Sequence, residues 1–173
     1  MSYKHLLFSA GIALLLGTTT VSAADLALSA GATGQGDATL RVGLTSTWDR
    51  QWFSGQRGHL GGYWDGGYTY WDGGSRSSAA HSVSFMPVFT YNFTSVRWQP
   101  FIEGGFGVAA FSKTRVSSRK LGVAFSFEDR LGFGVTLPNN GKLGIRAQHY
   151  SNARIKKPND GIESYALFYH HPL

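Results

Sequence analysis

The sequence contains no cysteine, which excludes a disulfide framework, a thiolate metal site, a CxxC redox motif and a cysteine nucleophile. Any chemistry must use oxygen or imidazole groups. Charge is scarce as well: Asp, Glu, Lys and Arg make up 15% of the 173 residues. The Lys and Glu content of a helix bundle is missing, and beyond the N-terminus no apolar run is long enough for a membrane helix. What is abundant is glycine, 23 residues, and aromatic side chains, with 12 Phe, 8 Tyr and 5 Trp. That composition favours many short strands in one domain.

The N-terminus differs from the rest. Met1 to Lys4 is a short positively charged lead, Leu6 to Gly17 is apolar, and Val21-Ser22-Ala23 has the small-x-small pattern of a cleavage site. Residues 1–23 are therefore expected to be a secretory signal peptide, with the mature chain starting at Ala24. A retained anchor would need roughly 20 apolar residues, and Thr18 to Thr20 end the run short of that.

Period-two patterning divides residues 24–173 into eight segments of the length a tilted membrane strand requires. They run over Asp25–Gln35, Thr39–Asp49, Gly58–Trp71, His81–Phe93, Gln99–Thr114, Gly122–Leu137, Lys142–Ser151 and Ile162–His171, with turn signals between them. In the fourth, Val83, Phe85, Pro87, Phe89, Tyr91 and Phe93 share one face while Ser82, Ser84, Thr90 and Asn92 share the other. In the sixth, Phe125, Phe127, Leu131 and Phe133 oppose Ser126, Glu128, Arg130, Gly132 and Gly134. Bulky rings on the apolar faces and glycines on the polar faces suit lipid outside and a narrow lumen within, where Glu128 and Arg130 pair. The expected fold is an all-β, eight-stranded antiparallel transmembrane outer-membrane β-barrel. The alternative is a soluble, lipocalin-like cup with the Phe rows inside. Trp48, Trp52, Phe53, Tyr63, Trp64, Tyr70, Trp71, Tyr91, Phe93 and Trp98 are expected in interface girdles, although a core position for some of them stays open. An even strand count puts both termini on the periplasmic side.

Polar groups break the apolar face at one place. In the seventh strand Leu143, Ile145 and Ala147 are followed at the same parity by His149 and Ser151, so an imidazole and a hydroxyl stand side by side at one rim. The eighth strand returns with Glu163 on the same face, ahead of Tyr165, Leu167 and Tyr169. Carboxylate, imidazole and hydroxyl form the orienter, base and nucleophile set of acyl hydrolases. Asn152, through its side-chain amide or nearby backbone N–H groups, is the candidate oxyanion donor. The pattern H-x-S-N is weak alone, and a polar strand end at headgroup level is the plain alternative. The cost of turning such groups toward lipid favours function. Asp129 falls at outward parity and, with a hairpin at Pro138 to Asn140, pairs with His149, so a supporting role is expected. The net charge of +6 gathers in two outward loops, at Lys113, Arg115, Arg119 and Lys120 and at Arg154, Lys156 and Lys157. Such a basic fringe fits a phosphorylated lipid rather than nucleic acid.

At these residues the sequence resembles the PagL family of lipid A 3-O-deacylases from Gram-negative outer membranes. The likeness runs through GATGQ (31–35), YWDGGYTYW (63–71), PFIEGGFGVAAFSKTRV (100–116), FEDR (127–130) and HYSNARIKKPNDGIESYALFY (149–169). It implies a serine esterase that removes the 3-O-linked acyl chain of lipid A, in lipopolysaccharide, as a 3-hydroxy fatty acid. Catalysis would use a Ser151–His149–Glu163 triad on the lipid-facing exterior at the outer leaflet, with Asn152 in the oxyanion hole and no metal or cofactor. A homodimer is compatible with the exposed aromatic faces, which lipid alone also accounts for. Two other readings stay open: a non-catalytic barrel with a structural or adhesion role, and a soluble barrel holding an apolar ligand.

Overall fold

Alternation of large apolar residues with small and polar ones has one low-energy outcome in a chain with no helix pattern, a sheet with two unlike faces. The structure, a computed structural model, describes residues 24–75, 77–94 and 98–173. The expected signal peptide, residues 1–23, lies outside the described residues. Eleven strands follow in order: β1 (Ala24–Thr33), β2 (Ala38–Thr47), β3 (Trp52–Gly55), β4 (Gly58–Trp71), β5 (Ala80–Phe93), β6 (Gln99–Phe111), β7 (Arg115–Val116), β8 (Arg119–Lys120), β9 (Phe125–Thr136), β10 (Lys142–Ser151) and β11 (Ile162–Pro172). Eight of these are long enough to form the wall. Each pairs antiparallel with its neighbour in the order β2-β1-β11-β10-β9-β6-β5-β4, and a β2–β4 ladder closes the barrel. Closure removes the sheet edges that lipid could not satisfy.

The faces divide as the alternation requires, but in the inside-out sense. Val83, Phe85 and Phe89 of β5, Leu131 and Phe133 of β9, and Ile145 of β10 are exposed, whereas Thr90, Glu128, Arg130 and Arg146 are buried. The lipocalin-like arrangement is thereby excluded. Three arginines and three carboxylates fill the lumen in equal number. Arg130 donates to Asp65 Oδ2 at 2.8 Å and to Glu128 Oε1 at 2.9 Å. Arg41 also pairs with Asp65, and Arg146 lies 3.2 Å from Glu103. Tyr63 O–H donates to Glu103 at 2.6 Å, and Gln148 donates to Glu128 at 2.6 Å. The Arg146 guanidinium stacks 3.8 Å from the Phe168 ring centroid. The glycines are the counterpart of these large groups: a Cβ on Gly132 would stand 2.7 Å from Glu103 Cγ, and one on Gly144 would stand 2.7 Å from Phe168.

Two expectations need correction. Tyr63 and Trp71 are not girdle residues, because inward parity on β4 places both in the lumen, 1% and 0% exposed. Each finds a polar partner there, Trp71 Nε1–H donating to Ser82 Oγ at 2.9 Å. Trp48 does behave as expected, packing edge-on against Trp52, Trp64 and Phe89 at the end bearing the termini. The second correction concerns residues 112–124: the two wall strands expected to reach Thr114 and to start at Gly122 instead end at Phe111 and start at Phe125. Ser117 (φ 55°) and Gly122 (φ 80°) turn the chain, and the β7–β8 hairpin folds over the mouth. Val116 and Leu121 are fully buried there with Trp71, Phe111, Tyr150 and Ile162.

Candidate active site

His149 and Ser151 end β10 at the mouth opposite the termini, and β10 registers between β9 and β11. The ladders place Glu163 of β11 directly across from His149 on one side and Asp129 of β9 directly across on the other. The parity argument thus places both carboxylates where the sequence implied. His149 Nδ1 lies 3.1 Å from Glu163 Oε1. With an ionised carboxylate, which only accepts, this bond takes its proton from Nδ1, and in a neutral ring Nε2 is then the acceptor. The pair is partly exposed on the barrel exterior, the side chains retaining 43% and 33% of their accessible area.

The far edge of the imidazole meets backbone. Gly161 has φ +65°, and a Cβ there would stand 2.8 Å from His149 Cε1 and 3.4 Å from Nε2. Only glycine combines that conformation with that approach. Ser151 shares the His149 face, half-buried, and among the described residues its hydroxyl has no hydrogen-bond partner. The i, i+2 spacing holds the two groups adjacent without a formed bond, as is common before substrate arrives.

Asn152, the expected oxyanion donor, directly follows Ser151. It is fully buried, and its Nδ2 donates to Leu121 O at 2.7 Å and Lys156 O at 2.8 Å. Its backbone N–H donates to Asn159 Oδ1 at 3.0 Å. Those bonds shape the loop after Ser151, where Ala153 (φ 50°) and Arg154 (φ 66°) are successive left-handed residues. Among the described residues the N–H groups of Ala153 and Arg154 donate to nothing. Strained backbone of this kind collects at functional sites.

Of the expected basic fringe, Lys113, Arg115, Lys120, Arg154, Lys156 and Lys157 are exposed. Lys113 Nζ donates to Ser78 Oγ at 2.6 Å and Ala79 O at 2.7 Å. Arg119 is half-buried and binds backbone carbonyls of the 152–161 loop.

One feature escaped the sequence reading. A cavity of about 310 Å³ beside His149 and Glu163 is lined by Asp129, Leu131, Ala147 and Tyr165. Leu131, Ala147 and Tyr165 also line a neighbouring apolar groove of about 830 Å³ on the lipid face, with Ala30 and Ala32 among its lining and Ile102, Phe133, Ile145 and Leu167 along it. The signal was present as small residues at outward positions otherwise held by large ones.

A family model described as Lipid A 3-O-deacylase (PagL) matches residues 35–172. The chain is 53% identical over 154 residues, 89% of each chain, to Lipid A deacylase PagL of Pseudomonas aeruginosa strain PAO1. It is 35% identical over 133 residues to Lipid A deacylase PagL of Bordetella bronchiseptica strain RB50, covering 76% of this chain and 72% of that one. The fold superposes on the crystal structure of the outer membrane enzyme PagL with a TM-score of 0.84, at 53% identity, covering 86% of this chain and 99% of the other. With the family model spanning most of the barrel and both relatives well above the level at which homology is in question, the chain belongs to the PagL family of lipid A 3-O-deacylases.

Proposed function

We propose that this barrel sits in the outer membrane with the His149 rim at the outer leaflet, and that it hydrolyses the ester at position 3 of lipid A with Ser151, His149 and Glu163. The observation that carries the reading is the His149–Glu163 pair, 3.1 Å apart, turned outward beside Ser151 and Asp129 on a wall whose other outward residues are mostly apolar. Polar groups facing lipid are costly and persist where they act.

His149 Nε2 takes the Ser151 hydroxyl proton as Oγ attacks the ester carbonyl. The Nδ1 bond to Glu163 keeps the ring in the productive tautomer and stabilises the imidazolium that forms. The oxyanion is met by the N–H groups of Ala153 and Arg154. Asn152 serves this pocket by fixing the loop, since its own amide hydrogens hold Leu121 and Lys156. Collapse expels the sugar oxygen, which receives the proton from His149. Water, deprotonated by His149 in turn, then cleaves the acyl-enzyme and releases the 3-hydroxy fatty acid. Low dielectric at the rim strengthens each of these interactions. The apolar groove below His149 takes the acyl chain, and the exposed loop cations Arg154, Lys156 and Lys157 meet the phosphates of the lipid.

A serine-directed fluorophosphonate tests the nucleophile directly. The reagent is expected to label Ser151 in the folded barrel, and peptide mapping that finds the label on another residue contradicts the assignment. Asp129 lies opposite His149 and lines the same cavity. We expect Asp129→Asn to lower turnover in a barrel that folds normally; full activity in that variant rules out its supporting role.

A further inference from the structure

The β7–β8 hairpin does more than close the mouth. Its far end docks on the 152–161 loop: Lys120 N–H donates to Asp160 Oδ2 at 2.8 Å, and Asp160 N–H donates to Lys120 O at 3.0 Å. Between these bonds Arg119 Nε donates to Gly161 O at 2.8 Å, while its Nη2 donates to Asp160 O. The guanidinium therefore spans two successive carbonyls, a geometry that its planar fork provides and an ammonium lacks. The hairpin itself is anchored by Val116 and Leu121, buried in the mouth of the barrel.

Gly161 lies at the far edge of the His149 ring, so near that a Cβ on it would stand 2.8 Å from Cε1. The Nδ1 bond to Glu163 restrains the imidazole from one edge, against a terminal torsion that is soft in histidine. A contact at the opposite edge narrows the aim of Nε2. We propose that Arg119 is a positioning residue for His149: by holding the Gly161 carbonyl it fixes the wall against which the imidazole rests. The inference builds on the Ser151–His149–Glu163 reading above. It also separates Arg119 from the exposed loop cations, since two of its donors are already engaged by backbone.

The test uses an uncharged short-chain nitrophenyl ester in detergent micelles, a substrate with no phosphate to bind. Arg119→Ala is expected to lower kcat roughly ten- to a hundredfold, the scale of a displacement of about 1 Å at the reacting groups. KM should change by less than about twofold, because ground-state binding of this ester does not involve Arg119. Arg119→Lys, which retains one donor for Gly161 O, should fall between alanine variant and wild type. Wild-type kcat in Arg119→Ala, or a change in KM alone, overturns the proposal. Ser151→Ala run alongside separates the two levels of argument. Ester hydrolysis that survives Ser151→Ala refutes the triad and the positioning role together. Activity that is lost in Ser151→Ala but untouched by Arg119→Ala refutes only the latter.

Discussion

Ser151→Ala is expected to reduce deacylation by about 10⁴-fold or more while leaving the barrel folded, because the variant has no oxygen with which to form the acyl-enzyme. His149→Ala should cost a similar factor, and the double variant little more, since nucleophile and base act as one unit. Glu163→Gln is a subtler case. The glutamine amide can donate to Nδ1, which then places the imidazole proton on Nε2, where it faces the serine instead of accepting from it. A loss approaching that of Ser151→Ala is therefore expected although the shape is kept. Folding is checked by the shift in electrophoretic mobility on heating. The site lies at the rim, and His149 and Glu163 are partly exposed, so stability should change little. Retention of more than about a tenth of the activity in Glu163→Gln would show that the carboxylate does not set the tautomer.

Asp65→Ala should have the largest effect on stability. Asp65 is fully buried and binds Arg41 and Arg130, with Arg146 at 4.0 Å. Removing it leaves three guanidinium groups facing Glu103 and Glu128 alone, and breaking a buried pair from one side costs roughly 3–5 kcal/mol. Urea titration of folding into lipid vesicles measures this. A change below about 1 kcal/mol, the range of solvated pairs, would mean that the lumen charges are effectively hydrated. Because Asp65 faces the lumen while His149 and Glu163 face the exterior, the fraction that folds should retain turnover.

The alternation of Phe85 with Ser84 and of Leu131 with Arg130 was enough to read the barrel and its inside-out sense, because side-chain period and strand period coincide. The same parity brought Glu163 and Asp129 to His149, as the ladders place them. Ring size misled where it was weighed above parity: Tyr63 and Trp71 lie in the lumen, where they reach Glu103 and Ser82, partners visible only once the strands are aligned. The β7–β8 hairpin was hidden for a related reason. Arg115 to Lys120 has the charge of a solvated loop, and only burial of Val116 and Leu121 reveals that it folds inward. Asn152 could be placed next to Ser151 by sequence, but the carbonyls that occupy its amide belong to Leu121 and Lys156, contacts set by loop geometry rather than by pattern. The apolar groove needed three dimensions altogether, since Ala30 and Ala147 lie far apart in the chain.

The most direct test is mass spectrometry of lipid A from cells of a Gram-negative host producing either the wild-type chain or Ser151→Ala. The wild type should yield lipid A lighter by one 3-hydroxyacyl group, lost from position 3, and Ser151→Ala should leave the lipid intact at equal barrel abundance. An unchanged acylation pattern with both folded proteins, or the same loss with both, would contradict the account.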